Sequence, residues 1–461
     1  MFQVFYFFSA LIIFVLKPEL YSEFSFNYNF FLGLTYLVLI SVFLLDQRLK
    51  NKNWLRFDLI FLIGYTIVHF QIPFLASIGV EPTRPDFVWL NKDVVNYATW
   101  MSLVAINFWI LGFTFFLNRK KLEIKNQDFI INYNLFDIIL LIFFIGFLST
   151  VGRNFLSGAY NVNNWGGGAT YFLLVLEVLL YLRVLYFFKA LKSNRSIVSI
   201  FRELLKYKIF LYVILCFTVL FFLTGSRGEV LRILLVIAFA YSIYVKKISF
   251  KFILISIIIG SFIFTIMGLG RGRDAAQLGD QNLLQRGYTV LQETDKRSNF
   301  TDELATSVRI QYRAIDTVPL SHSYLYGVTY IGTLVGVVPF ASGFIVDSLN
   351  IPYCYQGSAR FFTCLGQGNN ITYGEGSEVL ADLYVNFGLY GTFFFMFLFG
   401  ALSGKSTTGV NQKNFNYIVI YTVLLITALS INRGNILYIY KDIFYMLLFH
   451  YFFSGKLKLR K

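Results

Sequence analysis

The sequence predicts an all-α, polytopic integral membrane protein of about twelve transmembrane helices, with one large extracytoplasmic loop between the ninth and tenth. Three observations carry this. The 461 residues are 57% hydrophobic and 20% aromatic, and only 14% are charged, against about 25% in an ordinary soluble domain. The mean hydropathy is +0.62, and apolar runs near the 20 residues needed to span a bilayer recur along the chain. The 40 Lys and Arg, which give a net charge of +15, cluster in short loops between those runs, as the positive-inside rule requires. That placement argues against a nucleic-acid partner as the origin of the charge.

The runs lie at 2–16, 26–45, 57–79, 94–117, 135–151, 169–188, 209–224, 229–245, 252–269, 378–402, 416–431 and 436–453. Met1 to Leu16 lacks a basic start and a small-residue cleavage site, so it reads as the first anchor rather than a signal peptide. Alternate loops are basic. They carry Arg48, Lys50, Lys52 and Arg56; then Arg119, Lys120, Lys121 and Lys125; then Lys189 to Lys208; then Lys246, Lys247 and Lys251; then Lys405 and Lys413; then the tail from Lys456. The intervening loops are balanced: Lys17 stands with Glu19 and Glu23, and Arg84 and Lys92 stand with Glu81, Asp86 and Asp93. The basic set is expected in the cytoplasm, with both termini. This phase holds only if every run is a span.

The same phase puts 270–376 outside and divides the chain into a block of nine spans (1–269), the loop (270–376) and a block of three spans (377–461). The loop is Gly-rich and broken by Pro319, Pro339 and Pro352. Residues 281–316 are compatible with helices, and 326–346, apolar but interrupted by Gly and Pro, reads as a re-entrant or interfacial piece. Cys354 and Cys364 fall in this loop, where an oxidising environment permits a bridge across a short segment, the alternative being two free thiols. Cys216 lies in a span.

Several chemistries lack their motifs. There is no GxxxxGK[ST]. The glycines of GLGRGR at 268–273 do not follow a strand, so no dinucleotide site is read there. His69, His322 and His450 lie far apart, with no Cys/His cluster of ligand spacing, so neither a metal nor a cofactor is expected. His69 and His450, within spans, read as packing residues; His322 stands as a minor candidate for proton transfer.

Charged groups beside spans point to function. Arg227 and Glu229 sit in the turn LTGSRGEVLR, with Arg232 one turn deeper; Arg433 sits in the turn INRGN; Arg271 and Arg273 follow the ninth run. Arg360 and the stretch YGEGSEVLADLYVNFG, with Glu375, Glu378 and Asp382, lead into the tenth. Arginine's planar fork suits phosphate oxygens, and neighbouring glycines let backbone N–H groups approach. Arg227, Arg433, Arg271, Arg273 and Arg360 are therefore candidates for binding a lipid diphosphate, the alternative for each being an interfacial snorkelling residue. Arg183, in the sixth run, is assigned neither role. Glu375, Glu378 and Asp382 are candidates for a catalytic base, the alternative being an ion pair with a nearby arginine. Glu378 and Asp382, four apart, are expected to share a helix face, and Glu375, in YGEGS, is expected to swing with substrate.

TGSRGEVL, YGVTYIGTLVGVVP, YVNFGLYG and NRGNILYIYKDIFY, in that order around a large loop, resemble Wzy-type O-antigen (oligosaccharide repeat unit) polymerases over roughly 220–450. Two departures stand out: Asp382 where family members often carry Glu, and PFASGF where a Trp-Pro-x-Lys-Pro ending often follows the loop proline. The resemblance implies a GT-C-like, metal-independent glycosyltransferase of the bacterial inner membrane. Such an enzyme transfers a growing chain on undecaprenyl diphosphate to an incoming lipid-linked unit at the periplasmic face. A chain-length co-polymerase, a flippase and the membrane lipids are the implied partners. An O-antigen ligase shares this layout. A lipid-linked oligosaccharide transporter is expected to show duplicated halves and mid-membrane charges, and neither is visible.

Overall fold

The computed structural model describes residues 2–50, 53–117, 131–152, 155, 168–191, 195–269, 283–293, 301–368 and 370–455. All regular structure among them is helical. A helix stands at each predicted run: Phe2–Val15, Phe26–Lys50, Phe57–Ser77, Val95–Phe116, Tyr133–Val151, Ala169–Ala190, Lys208–Leu223, Arg227–Tyr244, Phe250–Leu269, Val379–Asn411, Phe415–Thr427 and Tyr438–Phe453. By length and composition, six helices of the described residues suffice to cross a membrane, and a seventh does if Ile197–Leu204 and Lys208–Leu223, bent by 107°, count as one span. The long loop is itself helical at Leu283–Glu293, Asp302–Ala305, Val308–Thr317, Val328–Val335, Ala341–Ser348 and Ser358–Gln367.

The chain forms two compact units, each discontinuous in sequence. The first comprises 1–51, 56–126 and 301–441; the second comprises 52–55, 127–300 and 442–461. Residues 301–376 of the long loop thus fold with the first four runs and the tenth and eleventh.

The core of the first unit is the packing of Val95–Phe116 against Val379–Asn411. Gly400 and Gly404 of one helix face the backbone of Trp109 and Phe113, and Gly112 of the other faces the carbonyl of Phe397. A Cβ at any of the three would fall on a main-chain carbonyl, so this is the small-residue packing that lets membrane helices touch backbone to backbone. The contact also explains a boundary the sequence misplaces. The predicted run stops at 402, yet the helix continues to Asn411. Ser403, Ser406, Thr407 and Thr408 read as loop residues, but they are buried and return their hydroxyls to the carbonyls four residues back. Lys405 therefore lies within the helix rather than in a loop.

Val379–Asn411 is broken at Gly388, whose φ of 67° and ψ of −170° are open to glycine and costly for other residues. Phe57–Ser77 carries a π-helical turn at Thr66–Phe70. Such turns mark functional positions more often than chance.

In the second unit, Arg183 is fully buried and donates Nε to Asp137 Oδ1 at 2.6 Å and Nη2 to Oδ2 at 3.3 Å. The rings of Tyr133, Tyr207 and Phe210 each lie 4.6 Å from its guanidinium. The residue without an assigned role is thus a paired, ring-enclosed tie between Tyr133–Val151 and Ala169–Ala190. His450 Nδ1 meets the Tyr186 hydroxyl at 2.9 Å, a buried packing role as expected.

Cys354 and Cys364 form the expected disulfide, with Cα atoms 5.8 Å apart. Closing a loop this short stabilises by about 2–3 kcal/mol. The double variant Cys354→Ser, Cys364→Ser is expected to unfold at a lower temperature in detergent, and an unchanged midpoint would refute a stabilising role.

Candidate functional site

The site is built on Val308–Thr317, whose sequence VRIQYRAIDT puts Arg309 and Arg313 one turn apart on one face. Like charges at that spacing repel, so the pair needs an anion, and the fold supplies Glu375. Arg309 is buried; its Nη1 donates to Glu375 Oε2 and its Nη2 to the Glu375 carbonyl at 3.2 Å. Arg313 Nη1 lies 3.4 Å from the same Oε2, buried and without an aligned hydrogen bond. A third guanidinium joins from the 80–93 segment: Arg84 lies over the Phe87 ring at 4.6 Å, and Arg309 lies over the same ring at 4.1 Å. Gly366, on the neighbouring Ser358–Gln367 helix, leaves room, because a Cβ there would fall on the Arg313 guanidinium and 3.0 Å from Glu375 Oε1. Two arginines thus face a single carboxylate, and Arg84 shares the Phe87 ring with one of them.

Glu375 does not swing freely. Its amide donates to Thr363 Oγ1 at 3.0 Å and its side chain is buried. Burial alone would raise its pKa, but the hydrogen bond and charge of Arg309, with the charge of Arg313, hold it below its ordinary 4.5. A carboxyl whose folded pKa is depressed stabilises the fold above its unfolded pKa, and that stability is lost as pH falls through the folded value. Thermal stability is therefore expected to fall as pH drops below 4.5. The fall should be shallower in Glu375→Gln, and equal slopes would refute the assignment.

Glu378 and Asp382 stand one turn apart at the start of one helix, the Asp382 amide donating to the Glu378 carbonyl at 2.8 Å. Glu378 has extended backbone (φ −146°) and is the N-cap of the following helix, accepting from Leu380 N and Ala381 N at 2.8 Å each. Asp382 lies inside that helix and is fully buried; its Oδ2 accepts from the Tyr330 hydroxyl at 2.5 Å, while Oδ1 has no aligned donor.

No local signal connects Glu378 with His69, yet the π turn presents His69 Nε2 3.2 Å from Glu378 Oε1. The distance suits a hydrogen bond, but the direction does not, for Nε2 has no aligned partner. On its other side, His69 Nδ1 lies 3.3 Å from Gln311 Oε1, and Gln311 Nε2 donates to Ala98 O at 3.1 Å and Ser102 Oγ at 3.0 Å. Gln311 stands between Arg309 and Arg313, so this buried network ties the arginine helix to two membrane helices.

The remaining candidates are dispersed. Arg433 is exposed and pairs with Glu303 at 3.3 Å. Arg360 is exposed, donates to Gln356 and lies 4.7 Å over the Tyr353 ring. Arg227 is the first residue of Arg227–Tyr244, half-exposed, in the second unit. There Arg232 lies 3.6 Å from Glu177. Arg271 and Arg273 lie outside the described residues. His322 has both nitrogens engaged: Nδ1 lies 2.8 Å from the Ser323 carbonyl, which leaves Nε2 to accept from the Tyr355 hydroxyl at 3.0 Å.

The chain matches a family model, that of the O-antigen polysaccharide polymerase Wzy, over residues 1–453. It belongs to that family. No curated protein matches the chain, and no solved structure does. In this O-antigen polymerase family member, the resemblance read from 220–450 extends into the first 200 residues, where only hydropathy had suggested it. The arginine pair Arg309 and Arg313 went unread in the sequence, although its like-charge spacing was visible, because its anion lies 62 residues further on from Arg313, at Glu375.

Proposed function

We propose that this polymerase joins undecaprenyl-diphosphate-linked oligosaccharide units at the periplasmic face of the inner membrane, transferring the growing chain to the incoming unit without a metal. The reading takes the fold as GT-C-like, with twelve spans, both termini cytoplasmic and 270–376 outside, and the Lys/Arg alternation of the loops supports it. The observation that carries it is the pair Arg309 and Arg313 facing one carboxylate, Glu375. Two guanidinium groups that share one carboxylate have donors left for a second anion, and a diphosphate accepts such forks.

On this reading the diphosphate takes donors from Arg313 and Arg309, and the Glu375 carboxylate, released from part of its charge partnership, accepts the proton of the attacking sugar hydroxyl. The leaving lipid diphosphate is stabilised by the same arginines, with Arg433 and Arg360 of the same unit as further contacts; Arg227, in the second unit, stands as a separate phosphate-binding candidate. Glu378 and Asp382, each already engaged, hold the frame. A chain-length co-polymerase and a flippase complete the proposed set of partners.

The test is complementation of a deletion strain, read on a lipopolysaccharide gel. Loss of the ladder with one capped unit retained indicates a polymerase; loss of every O-unit indicates a ligase or a flippase. Arg313→Ala should lose about 2–4 kcal/mol of charge-assisted binding, roughly a 30- to 1,000-fold drop in rate. Arg313→Lys keeps the charge but not the fork, so it should also fall. Normal ladders from both at wild-type expression would refute the anion role, and normal ladders from both Arg227→Ala and Arg433→Ala would leave those two as snorkelling residues.

A further inference from the structure

No Asp, Glu, Lys or Arg occurs between Asp316 and Asp347. Within that stretch, Val328–Val335 and Ala341–Ser348 form a helical hairpin. Its outward residues are large and apolar: Leu334, Val338, Phe340 and Phe344 are 43%, 59%, 72% and 75% exposed. In water such a surface is a liability, so something apolar covers it.

The attachment of the hairpin says what. Leu325 N donates to the Val385 carbonyl at 2.9 Å. Gly327 N and Thr329 Oγ1 both donate to Asn386 Oδ1 at 3.1 Å, and the Tyr330 hydroxyl donates to Asp382. The Tyr330 ring packs on Phe387 at 5.8 Å, and Phe387 packs on Phe395 at 4.5 Å. These partners lie not at the rim of the Val379–Asn411 span but along its first two turns, and Phe387 is eight residues, about 12 Å, beyond Val379. The Val385 carbonyl that accepts from Leu325 N–H lies three residues before the Gly388 break. The span's own outward residues continue below at one-turn spacing, with Tyr390, Phe394 and Leu398 exposed by 74%, 57% and 43%.

We infer that the 327–348 hairpin is inserted in the bilayer leaflet at the N-terminal end of the Val379–Asn411 span, with Leu334, Val338, Phe340 and Phe344 facing acyl chains. Each arm has eight residues, about 12 Å, too short for a hydrocarbon core of about 30 Å; it enters and returns. The donors that fix it there, Leu325 N, Gly327 N, Thr329 Oγ1 and the Tyr330 hydroxyl, all find acceptors within the protein, as hydrocarbon requires. The inference rests on the Val379–Asn411 helix spanning the membrane and not on the polymerase reading.

Spin labels test it. Cys216 is the free cysteine among the described residues, so a Cys216→Ser protein with the disulfide intact accepts single labels at Phe344→Cys and Phe340→Cys. Val338→Cys serves if either fails to fold. The labelled full chain is placed in vesicles of phosphatidylethanolamine and phosphatidylglycerol, and collision with oxygen, which concentrates in lipid, is compared with collision with a water-soluble nickel chelate. Leu398→Cys supplies the lipid-facing reference and Ser321→Cys the aqueous one. Oxygen collisions exceeding nickel collisions several-fold at the hairpin positions, as at Leu398→Cys, are expected. Nickel collisions equal to or above oxygen collisions there, as at Ser321→Cys, overturn the inference.

Discussion

Glu375→Gln is expected to destabilise the protein by about 3–5 kcal/mol and to abolish the ladder. The substitution keeps shape and removes charge, which leaves the buried Arg309 and the largely buried Arg313 facing each other without an anion. Breaking a buried ion pair at one partner is among the costlier single changes because the other charge stays desolvated. The measurement is thermal unfolding of the purified protein in detergent beside in-vitro coupling of lipid-linked units. A variant that melts like the wild type refutes the structural half of the assignment. A variant that melts early yet couples at the wild-type rate refutes the catalytic half.

Gly404→Leu is expected to cost more than about 3 kcal/mol and to remove most folded protein from the membrane. Any Cβ at Gly404 falls on the Phe113 backbone, and a backbone carbonyl cannot turn aside as a side chain can. The Val95–Phe116 and Val379–Asn411 helices would have to separate, opening the contact along its length. Gly260, with open space around it, is the control: Gly260→Leu should be tolerated. Fluorescence-detected gel filtration of the two variants reads the difference, and equal monodisperse yields would refute the close packing.

The helices were legible because each needs an apolar stretch whose length the bilayer sets, and the pairing of Cys354 with Cys364 because few cysteines share its compartment. Boundaries failed where tertiary contact overrode local polarity: Ser403 to Thr408 look like loop residues until a second helix covers them. The site was legible in one carboxylate and not in its partners. Glu375 stood out beside glycines, whereas Arg309 and Arg313 looked like the polar face of an ordinary loop helix. The link from His69 to Glu378 joins residues more than 300 positions apart, and nothing local in either segment announces the other.

The π turn at Thr66–Phe70 accommodates one residue more than an α turn, and one residue is roughly 100° of rotation. Before it, Phe57 and Phe61 pack edge-on to Phe399, at 5.9 and 5.5 Å. At its end Phe70 stacks on Tyr36 at 3.9 Å, and after it Phe74 stacks on Phe30 at 5.6 Å. The extra residue works as a swivel: Phe57 and Phe61 keep to the 379–411 helix, Phe70 and Phe74 turn onto the 26–50 helix, and His69 sits in the joint between them.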